Sequence, residues 1–142
     1  MADKERQICD LLVEKAIEAR QKAYAPYSKF SVGAAVLGAD GNIYTGCNIE
    51  NVSYGMTMCA ERTAIFKMVS EGCTQFDAIA IVAGENATDG APCGACRQVM
   101  GEFAADLDKT KVILAALNGD YIVETVASLM PYPFVKFKPQ DE

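Results

Sequence analysis

Three cysteines and one glutamate have residue types and spacings that could support metal-dependent hydrolysis. Cys93 and Cys96 are separated by two residues, and Cys59 is followed after one residue by Glu61. Thiolates are the soft ligands that zinc prefers, and a catalytic zinc takes three protein ligands and leaves its fourth position to water. A glutamate that is not a ligand can accept a proton from that water and donate it again. Three cysteines therefore fit an open, catalytic zinc site better than a closed structural site with four ligands.

The same cysteines leave two other functions open. A Cys-x-x-Cys pair also occurs in structural zinc-binding modules and in thiol–disulfide oxidoreductases. In a thioredoxin-like protein the pair follows the first strand, whereas Cys93 follows a later apolar run at residues 76–82. The glutamate beside the first cysteine favours a catalytic site over a structural module. A redox protein would instead form a reversible disulfide between Cys93 and Cys96 and hold no stoichiometric zinc.

The composition excludes several classes of function. The 142 residues include no histidine, which removes Ser-His-Asp and Cys-His catalysis, histidine-ligated zinc and any histidine pH switch. The chain has 13 basic and 19 acidic residues, a net charge of −6, and its basic residues are scattered. Nucleic-acid polymers and anionic membrane surfaces are bound by clustered positive charge, so we expect no partner of either kind.

Length and cysteine usage indicate one domain in a reducing compartment. A chain of 142 residues has the size of one domain, to which we assign residues 1–142. The charged residues 1–6 are not followed by the apolar core of a signal peptide. The longest apolar runs are far shorter than the ~20 residues of a membrane helix. We therefore expect a cytoplasmic protein, in which clustered cysteines bind metal or do redox work more often than they form disulfides.

The elements that must position these side chains alternate between helices and strands. Apolar residues at spacings of three and four predict helices, and short β-prone runs bounded by turn residues predict strands. The predicted helices cover residues 3–23, 57–70, 94–107 and a short segment at 127–130. The predicted strands cover residues 31–37, 43–47, 76–82, 111–117 and 121–126, the first two joined by Asp40-Gly41. This order predicts an α/β fold, a three-layer α-β-α sandwich around a mixed sheet of about five strands.

Helix N-termini are expected to bring the two cysteine motifs together. Cys59 and Cys93 are 34 residues apart, the length of one helix, one strand and their turns. If the two helices follow neighbouring parallel strands, both N-termini point to the same edge of the sheet, and their partial positive charge favours thiolates. Residues two apart on a regular helix point about 200° apart. Cys59 and Glu61 can therefore share a site only if Cys59 lies at or before the helix cap.

Four blocks of sequence resemble the small homotetrameric, zinc-dependent cytidine deaminases of the three-cysteine type. They lie at residues 24–30, 46–51, 59–64 (Cys-Ala-Glu-Arg-Thr-Ala) and 93–98 (Cys-Gly-Ala-Cys-Arg-Gln). A ligand, any residue and Glu, followed by Pro-Cys-x-x-Cys, is the pattern of zinc-dependent nucleoside deaminases. The resemblance implies a cytidine deaminase-like fold and hydrolysis of cytidine and deoxycytidine to uridine and deoxyuridine, with release of ammonia, in pyrimidine salvage. A deaminase of a related aminopyrimidine nucleoside, such as blasticidin S, is the alternative.

The resemblance also implies a role for each residue of the metal site. Cys59, Cys93 and Cys96 would hold one zinc ion per subunit. Glu61 would carry protons between water, ring N3 and the leaving amine. Arg62 would donate hydrogen bonds to the ligand sulfurs. Because zinc with three thiolates has a net charge of −1, a positive group beside it would help to keep the bound water acidic.

Substrate-binding residues follow from the resembling blocks by position. Phe30 would stack on the pyrimidine ring, as aromatic side chains do on bases. Asn48 and Glu50 would hydrogen-bond the ribose, and Ile49 between them belongs to the same expected substrate-binding set. The backbone N–H of Ala60 would meet a base oxygen. Because a carboxylate beside the sugar repels a phosphate, we expect nucleosides to be preferred to nucleotides.

Two aromatic residues are implied to reach the site of a neighbouring subunit. Tyr54 and Phe134 match family aromatics with this role, although residues 132–136 depart from the family's usual tail. The resemblance thus implies a homotetramer whose activity depends on assembly. The expected partners are a small-molecule nucleoside and further copies of the chain itself.

Overall fold

The computed structural model describes residues 1–136, in which helices and strands alternate. The helices are α1 (Asp3–Arg20), α2 (Ala60–Ser70) and α3 (Gly94–Phe103). The strands are β1 (Gly33–Gly38), β2 (Ile43–Cys47), β3 (Phe76–Val82), β4 (Lys111–Ala115) and β5 (Tyr121–Thr125). Short 3-10 turns cover Tyr54–Met56, Ala87–Gly90 and Ala127–Leu129. Within residues 1–136, no helix has the length and apolar character needed to cross a membrane.

The strands form one mixed sheet in the order β2-β1-β3-β4-β5. β3 and β4 are parallel, and the other neighbouring pairs are antiparallel. β1 and β2 form the hairpin that Asp40-Gly41 predicts, with Gly41 in the left-handed region at φ 86°. The central strand β3 is buried except at Asp77, as its continuous apolar sequence indicates. The predicted mixed sheet of five strands is confirmed.

Helices cover both faces of this sheet. α1 packs on one face, where Leu12 lies in a buried cluster with Ala35 and Ala80. α2 and α3 pack on the other face, where their apolar residues form a second cluster with Val36 and Ile79. Because successive strand residues point to opposite faces, the neighbours Ala35 and Val36 belong to different clusters. The predicted three-layer α-β-α arrangement is confirmed.

Besides α1, which ends at Arg20 instead of residue 23, two helices have boundaries that differ from the predicted ones. α2 begins at Ala60 instead of residue 57, because Met58 forms an antiparallel bridge with Ile49 through two backbone hydrogen bonds. α3 ends at Phe103 instead of residue 107, because Ala104 has an extended backbone. The later start of α2 leaves Cys59 just outside its helix.

The strands that lead into α2 and α3 are β2 and β3, which are not neighbours. The expectation of neighbouring parallel strands is wrong, because β1 lies between them and is antiparallel to both. β2 and β3 run in the same direction, because both strands are antiparallel to β1. Both helices therefore begin at the same edge of the sheet, and this edge carries both cysteine motifs.

Candidate metal and substrate site

Both cysteine motifs lie at helix N-termini. Cys59 is the N-cap residue of α2 and Cys93 that of α3, and both have extended backbones with ψ of 154° and 171°. Cys96 lies in the first turn of α3 and is buried. The three Sγ atoms lie within 4.8 Å of one another. Because Cys59 precedes its helix, it lines the same cavity as Glu61, which resolves the conflict between their spacing and helical geometry.

These three thiols fit a zinc ion. Tetrahedral zinc with bonds of about 2.3 Å to sulfur needs sulfurs about 3.8 Å apart, so only small side-chain movements separate the cluster from that geometry. Hydrogen bonds from Cys96 and Arg62 hold the pKa of the Cys59 thiol well below its ordinary value. The hydrogen bond to Cys59, together with burial, raises the pKa of Cys96. One sulfur is therefore ready as an ionised ligand, and the helix N-termini favour the remaining thiolates.

Glu61 is a buried carboxyl group beside the cysteine cluster. It lies in the first turn of α2 and is 4% exposed. Burial raises the pKa of Glu61 to about 7, although a backbone hydrogen bond opposes the shift. Within residues 1–136, the cluster of candidate metal ligands holds the three cysteines and not this carboxylate. A carboxyl group with a pKa near neutrality can both accept and donate a proton.

Arg62 faces the sulfurs from the first turn of α2. Its Nη2 donates to Cys59 Sγ at 3.5 Å, and this contact raises the pKa of the guanidinium group. Its Nε is buried and, in the part of the chain that the structure describes, has no hydrogen-bond partner. The permanent positive charge therefore lies where it can offset thiolate charge.

A cavity of about 200 Å³ opens beside the sulfurs. Several residues expected from the sequence line it: Phe30, Asn48, Cys59, Ala60, Glu61 and Cys93. Sequence reasoning missed further lining residues: Val32, Thr57, Met58, Asp89, Gly90 and Ala91. The signal that could have found them is proximity along the chain, because each lies within four residues of Phe30, Cys59 or Cys93.

Asn48 contacts the segment that carries Phe30, here called the Phe30 loop (residues 24–32). Its Nδ2 donates to the Phe30 carbonyl at 2.7 Å, and the Val32 N–H donates to its Oδ1 at 2.8 Å. The side chain is buried and still lines the cavity. Asn48 therefore joins the Phe30 loop to the wall of the site.

Glu50 holds the same loop from behind. It accepts hydrogen bonds from the N–H groups of Tyr27 and Ser28, each at 3.0 Å, and from the Ser28 hydroxyl. These bonds, led by that of the Ser28 side chain, lower the pKa of Glu50. The carboxylate is buried and is not among the residues that line the cavity. Lys29, which follows Ser28 in the loop, has a left-handed backbone at φ 60°, a strained conformation that the surrounding hydrogen bonds hold.

Three other expected site residues lie outside the cavity walls of this chain. Ile49 is 46% exposed and uses its backbone to pair with Met58. Tyr54 is 65% exposed and packs edge-on against Tyr27, with ring centroids 5.9 Å apart. Phe134 is 70% exposed, and its carbonyl accepts a hydrogen bond from the Gln98 side chain. The described chain does not bring these three side chains to its own cysteine cluster.

The chain is similar in sequence and in structure to known deaminases. Residues 7–114 match the family model described as the cytidine and deoxycytidylate deaminase zinc-binding region. A cytidine deaminase of Sporosarcina psychrophila is 54% identical over 127 residues, 88% of this chain and 90% of that protein. The crystal structure of a cytidine deaminase from Burkholderia pseudomallei is 44% identical, with a TM-score of 0.79 and coverage of 94% of this chain and 100% of that one. A blasticidin-S deaminase of Bacillus cereus is 31% identical over 132 residues, 88% of this chain and 91% of that protein.

Proposed function

Because the chain belongs to the cytidine and deoxycytidylate deaminase family, we propose that it catalyses the zinc-dependent hydrolysis of cytidine and deoxycytidine to uridine and deoxyuridine, with release of ammonia. The observation that carries this proposal is the buried Glu61 beside a cluster of three cysteine sulfurs in one cavity. Family membership favours an enzyme over the structural zinc module and the thiol–disulfide oxidoreductase that the sequence alone leaves open. Pyrimidine salvage is the corresponding use of the reaction.

The chemistry is assigned to a zinc ion and one proton carrier. Cys59, Cys93 and Cys96 would hold the zinc ion, which supplies a Lewis acid that makes water acidic enough to act as a nucleophile near neutral pH. Glu61 accepts a proton from that water as the water oxygen bonds to C4 of the pyrimidine, and it delivers the proton to ring N3. It then carries a second proton from the hydroxyl group on C4 to the departing amine. A pKa of about 7 suits a group that must work in both directions.

Substrate binding is assigned to the walls of the cavity and, for the ribose, also to Glu50 outside them. Phe30 lines the cavity while 47% exposed, so its ring is available to stack on the pyrimidine. The N–H of Ala60 belongs to the first turn of α2, where N–H groups lack a partner within the helix, and it binds a base oxygen. Asn48 keeps one amide hydrogen and one lone pair beyond its loop contacts, and Glu50 keeps a lone pair on Oε2. These remaining positions bind the ribose.

The charge of the cavity favours nucleosides over nucleotides. The lining residues include the acidic Glu61 and Asp89, and no basic side chain is among those that the structure describes. Glu50 adds a carboxylate behind the Phe30 loop. A phosphate group would be repelled by all of these charges. Turnover of CMP comparable to that of cytidine would contradict this preference.

We further propose that the chain is one deaminase domain that assembles into a homotetramer in the cytoplasm. Tyr54 and Phe134 are large, exposed and absent from the cavity walls of their own chain, which supports a role at a neighbouring subunit's site. Val52 and Met56 are 80% and 68% exposed beside Tyr54, and apolar side chains of this size support burial against a second copy. Sedimentation equilibrium tests the assembly, and a fully active monomer would contradict it.

The decisive experiment measures zinc per chain and the ultraviolet absorbance of cytidine for the wild type, Glu61→Gln and Glu61→Ala. We expect one zinc ion per chain in all three proteins and a loss of turnover of about a thousandfold in both variants. Glu61→Gln is the matched control for shape, because it keeps the side-chain volume and removes the titrating group. Zinc-loaded wild type without cytidine turnover would refute the function, and an active Glu61→Ala would refute the role of Glu61.

A second candidate substrate has a specific observation in its favour. The blasticidin-S deaminase of Bacillus cereus shares 31% identity with the chain, against 54% for the cytidine deaminase of Sporosarcina psychrophila. We expect cytidine to be the better substrate. A wild-type kcat/KM higher for blasticidin S than for cytidine would reassign the substrate and leave the metal chemistry unchanged.

A further inference from the structure

Arg20 lies outside the cavity and connects two stretches of chain that form its walls. The Nε–H group donates to the Ser31 carbonyl at 3.1 Å and to the Ala83 carbonyl at 2.8 Å. Ser31 stands between Phe30 and Val32, which both line the cavity. Ala83 directly follows β3 and begins the connection to the other lining segment. One part-buried donor therefore contacts both stretches.

The two stretches separate at the end of the β1–β3 ladder. The last pair of that ladder is Gly33 and Val82. Before Gly33 the chain comes from Phe30, and after Val82 it continues to the lining residues 89–91. Beyond this pair the strand ladder no longer fixes the distance between the two stretches. The shared hydrogen bonds of Arg20 fix it at the point where they diverge.

Close packing of α1 explains why Arg20 reaches this point. A Cβ atom at Gly33 would overlap the Ala16 carbonyl oxygen and come within 2.5 Å of Arg20 N. Only glycine permits this approach, so the last turn of α1 rests directly on the start of β1. Arg20 is the last residue of α1, and its planar guanidinium group is a preorganised donor. α1 thus places the Arg20 side chain at the point where the two stretches diverge.

We propose that Arg20 is a positioning residue that sets the width of the substrate cavity by holding Ser31 and Ala83 at a fixed separation. This role rests on the proposed function, since Phe30 must meet a pyrimidine ring for the width to matter. Arg20 is not among the residues that line the cavity and takes no part in proton transfer. Its loss therefore weakens nucleoside binding in the ground state and the transition state alike, and leaves the chemical step unchanged.

Steady-state kinetics of Arg20→Met test this role, with Arg6→Met as the matched control. Arg6 lies on the same helix, is exposed and pairs with Asp3 at 3.8 Å. We expect the KM for cytidine to rise about tenfold in Arg20→Met while kcat stays within about twofold. Arg20→Lys, which keeps the charge and a donor, recovers part of the loss, and Arg6→Met matches the wild type. A wild-type KM in Arg20→Met, or a fall in kcat at constant KM, would overturn the role.

Amide hydrogen exchange of the zinc-loaded protein without substrate separates positioning from general stability. Arg20→Met should exchange faster than the wild type at residues 28–32 and 84–91 and at the same rate in α2 and β4. Equal acceleration throughout the chain would identify Arg20 as a general stabiliser and overturn the positioning role. A wild type without cytidine turnover defeats the proposed function, whereas wild-type KM and exchange in Arg20→Met defeat this inference alone.

Discussion

The metal end of the cavity and the Phe30 loop are built in different ways. At the metal end, two helix N-termini supply the cysteines and Glu61, and these side chains themselves form the site. In the Phe30 loop, three side chains from other parts of the chain, those of Arg20, Asn48 and Glu50, hold the backbone. The residues joined by these contacts are 11 to 23 positions apart in the sequence. One region depends on local caps, and the other depends on long-range hydrogen bonds.

Two buried carboxylates show what this difference means for the chemistry. Glu61 is 4% exposed and Glu50 is 8% exposed, so both residues are largely shielded from solvent. Burial dominates at Glu61 and raises its pKa to about 7, which suits proton transfer. At Glu50, hydrogen bonds from Ser28 and Tyr27 outweigh burial and lower the pKa, so the carboxylate stays ionised as an anchor for the loop. The donors around a carboxylate and the depth of its burial together decide which of the two functions it can serve.

The largest effect is expected at the metal end, where the proposed zinc site needs all three cysteines. Cys96→Ala removes a buried sulfur from the three-cysteine cluster. We expect zinc content to fall to background and cytidine turnover to fall by at least about a thousandfold, because the Lewis acid is lost. Metal analysis and turnover provide the measurement, with Cys73→Ala, a half-buried thiol outside the cluster, as the control. Zinc binding and turnover retained in Cys96→Ala would contradict the assignment of the three cysteines as the metal site.

The same difference explains which parts of the molecule the sequence predicts. The order of the elements follows from local patterns, because hydrophobic periodicity is a local property. Periodicity alone starts α2 at residue 57 and so places Cys59 inside the helix; only the requirement that Cys59 and Glu61 share one site moves Cys59 to the cap. The bridge between Ile49 and Met58 and the insertion of β1 between β2 and β3 depend on tertiary pairing. The loop contacts of Glu50 likewise join distant residues, so the blocks that carry the family resemblance indicate a ribose ligand and give no sign of an anchor.

The next largest effect is expected in the Phe30 loop. Asn48→Ala leaves the Phe30 carbonyl and the Val32 N–H without their side-chain partner. We expect a loss of about 2–3 kcal/mol in the free energy of unfolding and a rise of about tenfold in KM, with zinc content unchanged. Urea denaturation, cytidine kinetics and metal analysis provide the measurements, and Asn42→Ala in the exposed β1–β2 turn is the control. Zinc lost together with affinity would show that the two regions are one unit.

A smaller effect with a distinctive pH dependence is expected at Glu50. The folded-state pKa of Glu50 is lowered, so the stability it contributes is fully present above its unfolded pKa and is lost as pH falls through the folded pKa. The Tm difference between the wild type and Glu50→Gln should therefore be constant near neutral pH and shrink below about pH 4.5. Lys29 adds a favourable charge and does not change the sign. Glu102→Gln, at an exposed site, is the control, and a difference that is independent of pH would mean that the ionised form is not the anchor.

The smallest effect is expected at Thr57, where the two regions meet, and a substitution there should raise the stability of the protein instead of lowering it. Thr57 lines the cavity, and its Oγ1 is buried with no hydrogen-bond partner in the described residues 1–136. Thr57→Val keeps the shape and removes an unpaired hydroxyl, so we expect it to stabilise the ligand-free protein by about 1 kcal/mol. Thr63→Val is the control with the opposite sign, because its hydroxyl donates to the Cys59 carbonyl at 3.1 Å. Calorimetry measures the Tm of Thr57→Val, and cytidine kinetics measure its KM. A higher Tm with an unchanged KM would mean that the hydroxyl of Thr57 only destabilises the fold. A higher Tm with a raised KM would mean that bound nucleoside is the missing hydrogen-bond partner of the hydroxyl. A lower Tm would contradict the expectation and place that partner elsewhere in the assembled protein.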